Sequence, residues 1–367
     1  MSRTAVRGPA RILIAALGVA LAGCSTATPT GQPTLLPTAA AASTSPTAAA
    51  TPVATQPVPD LPGQIVFTDE QSAPKHAQIW IQNANGTNAR QLVVSNFDDR
   101  LPTLSPDGKQ VLFTRYVPEG ASLDDGGVFV VNVDGTGLRQ IDTLGEDPSW
   151  SPDGLRFVET RGLFDKGAAG PYNVALWIRN VDGTGLRQVT RKGLRCDNAC
   201  PDGYQDNRAR WSPDGKTLVF TRDFYTTPEQ HWIMKIFPYS NILHEMRVTP
   251  ADMDADDPQW SRDGNLILFQ SPPEPSTADQ NLYTIAPDGT GLKQLTSHLS
   301  KDASGVSGVF HASWSPDGTM IVFSHYPGAS PLRASLYVIN ADGTGMQLVS
   351  GEQFNANGAE WGVLPAP

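Results

Sequence analysis

Ionisable side chains recur at a fixed distance before tryptophan residues. Their chemistry is suited to binding a ligand. Four of them stand three residues before a tryptophan: Asp147, Arg208, Asp257 and His311. Glu146 and Asp256 are adjacent to two of these four. Asp147, Asp257 and His311 could act as acid, base or metal ligand, and convergent polar side chains at a concave mouth are the usual form of a ligand site. We take the four as candidate ligand-binding residues, with the solvated lining of a channel as the alternative.

A run of alternating aspartates has the spacing of a cation site. Its members are Asp252, Asp254 and Asp256. Asp263 is twelfth in the same frame, as in an EF-hand loop, but the sixth place, which needs a glycine, is Asp257. The histidines show no zinc spacing, since His244 lacks the second histidine of H-E-x-x-H. The sequence therefore predicts no metal and no cofactor and assigns no catalytic residue; a cation at Asp252–Asp257 stays open.

Two short strings alternate along the chain after residue 62. The first is Ser-Pro-Asp-Gly, at 105–108, 151–154, 212–215 and 315–318, with Ser-Arg-Asp-Gly at 261–264. The second is Asp-Gly-Thr-Gly, at 134–137, 182–185, 288–291 and 342–345, with Asn-Gly-Thr-Asn at 85–88. Proline presets φ in the first string and its glycine accepts the left-handed conformation, while Asp-Gly is a strong hairpin signal. Both strings are predicted to be hairpin turns.

Runs of β-branched and aromatic residues flank these turns and predict four strands, A to D, in each unit. Val111–Thr114 follows a first turn, Val128–Val131 precedes a second turn, and Arg187–Thr190 follows one. Strand A of successive units ends at residues 104, 150, 211, 260, 314 and 361, of which all but Leu104 are tryptophan. Four strands at a period of roughly 50 residues are typical of a β-propeller, in which only short sheet edges stay exposed.

The two ends of the chain complement each other. The N-terminal part supplies strands B, C and D at 65–68, 79–82 and 90–93, and the C-terminal part supplies a strand A at 359–361 and then stops. We therefore predict an all-β, six-bladed β-propeller of four-stranded antiparallel blades, closed by pairing the C-terminal strand with the N-terminal blade. All eight tryptophans fall at repeat positions, and we expect them to pack between blades.

The strings P-x-W-S-P-D-G and N-x-D-G-T-G-x-R-Q-L-T resemble the repeats of TolB-like six-bladed propellers over residues 63–364. The resemblance implies the six-bladed fold. TolB itself carries an α/β domain ahead of its propeller and is a soluble periplasmic protein, whereas a signal and a tether occupy that place here. The unit led by Trp211 also departs from the pattern, because Pro238–Asn241 stands where the other units have an Asp-Gly turn.

The first residues have the features of an export signal. Three arginines precede an apolar run at 12–21, which is too short to span a bilayer. The run closes on Leu-Ala-Gly-Cys, which resembles a bacterial lipobox and implies lipidation of Cys24; an ordinary signal with a chance cysteine is the alternative. We predict a lipoprotein signal peptide at 1–23, a lipidated, disordered Thr/Ala/Pro-rich tether at 24–62 and the propeller at 63–364.

Charge and cysteine content restrict the partners and the compartment. The chain has a formal net charge of −10 and no Lys/Arg blocks, which excludes nucleic acid as a partner. Nine aspartates belong to the two turn strings, where aspartate bonds nearby amides, so the acidity need not indicate a cationic partner. Cys196 and Cys200 lie in an insertion, and outside the cytoplasm we expect a local disulfide; a redox C-x-x-x-C is the alternative.

The lengths of the loops indicate which face of the propeller binds. The A–B and C–D turns on one face are nearly invariant, whereas the B–C and D–A loops on the other face vary widely, which is typical of a binding face. We therefore predict an extracytoplasmic binding or scaffold module, anchored to a membrane by its lipid, that engages a protein, peptide or glycan of the cell envelope. The alternative is an extracytoplasmic glycan lyase or hydrolase with its site at the mouth of the central channel.

Overall fold

The computed structural model describes residues 61–70, 76–118, 122–163, 173–190, 204–224, 230–240, 245–272, 280–297, 308–326, 333–351 and 353–365. These residues form 24 strands and a short 3₁₀ turn at Leu123–Asp125. No helix in the described ranges is long and apolar enough to cross a bilayer. Cys24, Cys196 and Cys200 lie outside the described residues, and their lipidation and pairing stay predictions.

The strands make six four-stranded antiparallel sheets, or blades, in which strands A to D follow one another outward. The A strands are β4 Asp98–Leu104, β8 Gly145–Trp150, β12 Tyr204–Trp211, β16 Asp256–Trp260, β20 Gly308–Trp314 and β24 Ala356–Gly362. The B strands are β1 Gln64–Asp69, β5 Gln110–Tyr116, β9 Arg156–Leu163, β13 Leu218–Phe224, β17 Ile267–Ser271 and β21 Met320–Tyr326. The C strands are β2 Gln78–Asn83, β6 Gly127–Asn132, β10 Asn173–Asn180, β14 Gln230–Ile236, β18 Asn281–Ile285 and β22 Ser335–Asn340. The D strands are β3 Arg90–Gln91, β7 Arg139–Asp142, β11 Arg187–Gln188, β15 Glu245–Arg247, β19 Lys293–Gln294 and β23 Gln347–Leu348.

The predicted closure of the ring is confirmed. Strand β24 pairs antiparallel with β1, so that Ile65 lies opposite Trp361 in blade 1, which contains β24 and β1–β3. Each A strand contacts the A strands of both neighbouring blades, and β24 completes the circle by contacting β20 and β4. Trp361 is fully buried, and its Nε1 donates to the Pro62 carbonyl oxygen at 2.8 Å. We number the other blades 2 to 6 in chain order, from β4 onward.

The A–B turns of successive blades pack against one another on what we call the turn face. Three prolines of the Ser-Pro-Asp-Gly string lie against the turn glycine of the next blade: Pro106 on Gly154, Pro152 on Gly215 and Pro213 on Gly264. Inside one such turn, Ser105 Oγ donates to Asp107 Oδ1 at 2.6 Å, and Asp107 Oδ1 also accepts from the Lys109 amide at 3.1 Å. Each turn thus stabilises itself and restrains its neighbour.

In four of the six blades, the basic residue of the G-x-R-Q-L-T string ties the outer strand to the next blade. Arg139 donates to the Val181 carbonyl oxygen at 3.1 Å, and Lys293 donates to the Asp342 carbonyl oxygen at 3.1 Å. Because these acceptors belong to the C–D turn of the following blade, the basic residue helps to hold the blades in one circle. The repeat is visible in the sequence, but this role is not.

The outer strands are shorter than the sequence predicts. In blade 3 the strand ends at Gln188, although the run Arg187–Thr190 is predicted to pair throughout. The Val189 amide still donates to the Leu176 carbonyl oxygen at 2.8 Å, but the Leu176 amide donates to Thr190 Oγ1 at 3.0 Å. A side-chain hydroxyl therefore replaces the backbone acceptor and ends the ladder. The threonine or serine after the other outer strands plays the same part in blades 5 and 6.

Blade 3 differs from the other five blades at one buried position of strand B. Five blades place a fully buried or nearly fully buried phenylalanine there: Phe67, Phe113, Phe220, Phe269 and Phe323. Blade 3 has Glu159, which is also fully buried and lies near Arg161, Arg179 and Asp142. Desolvation, reinforced by the charge of Asp142, raises the pKa of Glu159 to about 8. The contact between blades 2 and 3 is therefore partly ionic.

Replacing Trp361 with alanine tests the closure. Removing this fully buried side chain leaves a cavity where the chain ends meet, and we expect a loss of about 3–5 kcal/mol in the free energy of unfolding. Trp260→Ala is the matched control, because Trp260 holds the same repeat position but is only partly buried. Urea unfolding of both variants decides the matter, and equal losses would contradict closure through Trp361.

Candidate functional site

Each A strand contains a β-bulge, whose central residue lies three positions before the aligned tryptophan or, in blade 2, before Leu104. We call the face of the propeller that carries the B–C and D–A loops the loop face. The register of pairing with strand B shifts at this point in all six blades. One residue of each bulge has positive φ: Leu101 (56°), Asp147 (47°), Arg208 (51°), Asp257 (55°), His311 (51°) and Gly358 (62°). Non-glycine residues rarely adopt this conformation, and bulges re-aim side chains beside functional sites.

Hydrogen bonds from the preceding blade hold three of these strained residues. The Asp147 amide donates to Thr114 Oγ1 at 2.9 Å, and the Asp257 amide donates to Thr221 Oγ1 at 3.1 Å. The His311 amide donates to Gln270 Oε1 at 3.3 Å. Each acceptor lies on strand B of the neighbouring blade, so the strained backbone depends on the assembled ring. We call the space that the six bulges enclose at the loop face the well.

The structure places the four candidate residues at equivalent points around the well, and it joins two of them through a residue that the sequence patterns did not single out. Arg210 Nη1 and Nη2 both lie 3.2 Å from Asp147 Oδ1, and Nη2 lies 3.9 Å from Asp257 Oδ1. The side chain of Arg210 is 15% exposed, and those of Asp147 and Asp257 are 9% and 3% exposed. Arg210 therefore bridges blades 3, 4 and 5.

His311 does not join this group. Its Nδ1 lies 3.0 Å from Asn357 Oδ1, across the boundary between blades 6 and 1. Its amide is held by Gln270 of blade 5. His311 thus connects blade 6 to blade 5 through Gln270 and to blade 1 through Asn357.

A signal for Arg210 was present in the sequence. The residue immediately before the aligned tryptophan, or before Leu104 in blade 2, is polar in every blade: Thr103, Ser149, Arg210, Gln259, Ser313 and Glu360. Desolvation opposes the charge of Arg210, but the carboxylates of Asp147, Asp257 and Glu360 raise its pKa. The alignment by tryptophan that identified Asp147 also places this second tier beneath it, toward the turn face.

Arg262 spans the turn-face end of the channel. It replaces the proline of the turn string, and its Nη2 donates to the carbonyl oxygens of Trp361 at 2.7 Å and Trp314 at 3.2 Å. One side chain thus joins blade 5 to blades 6 and 1. Desolvation raises the pKa of Glu360, while a hydrogen bond from Thr103 and the charges of Arg210 and Arg262 oppose the shift.

A second cluster surrounds Arg208 at the rim of the well. Arg208 Nη1 lies 2.9 Å from Asp256 Oδ2, and although desolvation opposes it, the charges of Asp256 and Asp257 raise the pKa of Arg208. His231 Nδ1 lies 2.8 Å from Asp254 Oδ1. Despite desolvation, this bond and the nearby carboxylates raise the pKa of His231 to about 9, so that the imidazole is a cation at neutral pH.

Glu146 provides an accessible carboxylate at the rim on the blade next to that of Arg208. Its side chain is exposed, and the Tyr116 hydroxyl donates to Glu146 Oε2 at 3.3 Å. Partial desolvation by the surrounding walls raises the pKa of Glu146, and the adjacent charge of Asp147 adds to the shift. A ligand that enters from the loop face would meet Glu146 before the buried carboxylates below it.

No group of three or more His, Cys, Asp or Glu side chains within the described ranges could hold a metal ion. The aspartates of the EF-hand-like spacing take other partners. Asp254 bonds His231, and Asp256 pairs with Arg208 and accepts from Thr221 Oγ1 at 2.9 Å. The arrangement is one of alternating opposite charges, which suits the binding of a polar or charged ligand.

Comparisons with known proteins agree with the fold. The structure is similar to TolB from Acinetobacter baumannii, with a TM-score of 0.63 and 20% identity, covering 82% of this chain and 67% of that one. A TolB structure from Agrobacterium tumefaciens gives 0.56 and 19%, covering 81% and 91%. Hydrazine synthase from Kuenenia stuttgartiensis gives 0.60 and 14%, covering 83% and 47%. At these identities the likeness establishes the TolB-like six-bladed propeller fold, as the repeats implied. No protein-family model and no curated protein matches the sequence.

Arg210→Met tests the bridge between the blades. The change keeps the hydrophobic stem and removes the charge that Asp147 and Asp257 face, so we expect the free energy of unfolding to fall by about 3 kcal/mol at pH 7.5. Lys216→Met, on the exposed turn face, is the control. A loss no greater than that of the control would contradict the bridge.

Asp254→Asn tests the charged histidine. We expect the pKa of His231 to fall from about 9 toward the ordinary value of about 6.5, as measured by NMR titration of its ring. Charging of His231 contributes stability that is fully present below the unfolded value and is lost as the pH rises through the folded one, so the variant should lose stability chiefly below pH 9. Asp252→Asn is the control, and an unchanged His231 pKa in Asp254→Asn would overturn the assignment.

Proposed function

We propose that the protein is an extracytoplasmic, lipid-anchored binding module that engages a protein, peptide or glycan of the cell envelope at the loop face. The observation that carries the proposal is the well itself. Five of the six bulges hold a side chain at positive φ, the sixth residue being Gly358, and ion pairs across blade boundaries lie among these side chains. A concave site with convergent polar groups is the general form of a binding site.

The two faces of the propeller differ in what they offer a partner. On the turn face, the aspartates bond their own turns: Asp134 Oδ1 accepts from the Thr136 amide at 2.8 Å and from Thr136 Oγ1 at 2.6 Å. On the loop face, Glu146 is exposed and Arg208 is partly exposed. The polar groups of the loop face are thus more available for a ligand than those of the turn face.

The membrane anchor rests on the sequence. The apolar run at 12–21 followed by Leu-Ala-Gly-Cys24 supports export and lipidation, and the Thr/Ala/Pro-rich segment 24–62 supports a flexible tether ahead of the propeller. Such a tether lets a domain search for a partner beyond the lipid surface. We therefore propose presentation of the loop face to an envelope partner, with cleavage before Cys24.

A glycan lyase or hydrolase at the channel mouth has weaker support. Asp147 and Asp257 face Arg210, and His311 bonds Asn357, so the three side chains named for acid, base or metal-ligand roles are engaged in separate contacts. Binding is the better use of the arrangement.

The double variant Arg208→Ala/Asp257→Ala tests the proposed function. Cross-linking in the native envelope, followed by purification of the full chain, should recover a partner with the unaltered protein and at least about tenfold less with the variant, because two charges of the well are lost. Thermal unfolding checks that the variant is folded. If it is not, Glu146→Lys, which changes an exposed rim residue, replaces it.

Asp342→Asn is the matched control for loss of a carboxylate. It lies on the exposed turn face, and Asn85 of blade 1 already makes the corresponding turn, with Asn85 Oδ1 accepting from Thr87 Oγ1 at 2.7 Å. Capture should survive in this control. Equal recovery from the unaltered protein and from the folded well variants would rule out the well as the binding site.

A further inference from the structure

The well carries more negative than positive charge. The carboxylates in and around it are Glu146, Asp147, Asp223, Asp254, Asp256, Asp257 and Glu360. The cationic groups that face them are Arg208, Arg210, Arg262 and His231. Seven acids against four cations leave the site short of positive charge. Unlike the turn aspartates, these acids are not required by local turn chemistry.

Asp257 is a buried carboxylate for whose Oδ2 the described residues supply no hydrogen-bond donor. Its side chain is 3% exposed, and the nearest cationic atom, Arg210 Nη2, lies 3.9 Å from Oδ1, beyond hydrogen-bonding distance. Its Oδ2 is buried and has no donor among the described residues. Burial of an ionised group without hydrogen bonds is costly, so a carboxylate of this kind indicates a donor from outside the chain.

Asp147 repeats the feature on the other side of Arg210. Its Oδ1 accepts from Arg210, but its Oδ2 is buried and has no donor within the described part of the chain. Two orphaned oxygens thus flank one guanidinium, beneath the rim that Glu146 and Arg208 form. Both belong to residues that the bulges hold at positive φ. The strain and the unmet acceptors occur at the same positions, which is the pattern expected of a site completed by its ligand.

The raised pKa values of two carboxylates at the rim agree with a shortage of positive charge in the well. Desolvation and the neighbouring charge of Asp256 raise the pKa of Asp223, and desolvation and Asp147 raise that of Glu146. His231 and Arg208 oppose the shift at Asp223, yet its pKa is still raised, so these cations do not fully offset the desolvation and the neighbouring negative charge. A ligand that supplies a cation would relieve the same repulsion, whereas an anionic ligand would increase it.

We propose that the well receives a cationic nitrogen group of a polypeptide, an ammonium or a guanidinium, which donates hydrogen bonds to Oδ2 of Asp147 and of Asp257. The inference rests on the proposed function and specifies its ligand. A lysine or arginine side chain has the apolar stem needed to pass the rim while its charged end reaches the carboxylates below. A metal ion fits less well, because the described residues hold no group of three or more metal-binding side chains.

Selection from a displayed library of random short peptides tests the proposal and does not require the natural partner to be identified first. The purified full chain is immobilised, and the peptides it retains are sequenced and resynthesised with free and with acetylated N-termini. We expect enrichment of lysine or arginine at one position, and replacement of that residue by norleucine should weaken binding by about tenfold or more. Loss of binding on acetylation instead would identify the N-terminal amine as the cationic group.

The matched variants separate the possible results. Asp257→Asn and Asp147→Asn should each weaken binding of the enriched peptide by about tenfold, whereas Asp342→Asn should leave it unchanged. Enrichment of peptides without basic residues, with affinity lost in Arg208→Ala, would overturn the cationic ligand and keep the binding function. Failure to enrich any peptide would overturn the cationic polypeptide, and the cross-linking experiment would then decide separately whether the module binds another envelope component such as a glycan.

Discussion

Antiparallel pairing between the last strand and the first is the constraint on which the rest of this structure depends. Blade 1 exists only because β24, at the C-terminal end of the propeller, pairs with β1, nearly 300 residues earlier in the chain. Without it, β20 and β4 would each lose a neighbouring A strand. The close contacts of the turn face, from the turn prolines to Arg262, also require a complete circle.

The same closure makes the site. A residue with positive φ is unfavourable in a strand, and here the amides of Asp147, Asp257 and His311 are held by side chains of the blade before them. Arg210 adds charge contacts to the blades on either side, and Arg262 reaches two blades onward. The site therefore belongs to no single blade. Its geometry is a property of the ring, which explains how six similar units produce one asymmetric, charged space.

The fold could be predicted from the sequence because its signals are local. A turn string such as Ser105–Gly108 determines its own hydrogen bonds, and the same string recurs in successive repeats. The alignment by tryptophan also located Asp147, Arg208, Asp257 and His311, since equivalent positions in a ring must lie around one axis. The partners could not be predicted in this way. Arg210, Arg262 and Glu360 meet residues that are 47 to 257 positions distant in the chain, and nothing in the repeat specifies which substituted positions face each other. The same holds for Glu159. The sequence shows that it replaces a phenylalanine found in the other five blades, but it does not show that the partners of Glu159 come from two blades.

Hydrogen exchange of the backbone amides tests the central claim most directly. If β24 and β1 close the ring, their paired amides, such as those near Ile65 and Trp361, should exchange as slowly as the amides between β17 and β18 in the middle of the chain, because both would open only when the propeller unfolds. Exchange at β24 and β1 that is faster by orders of magnitude, while β17 and β18 stay protected, would show an open ring and would contradict the account of the well.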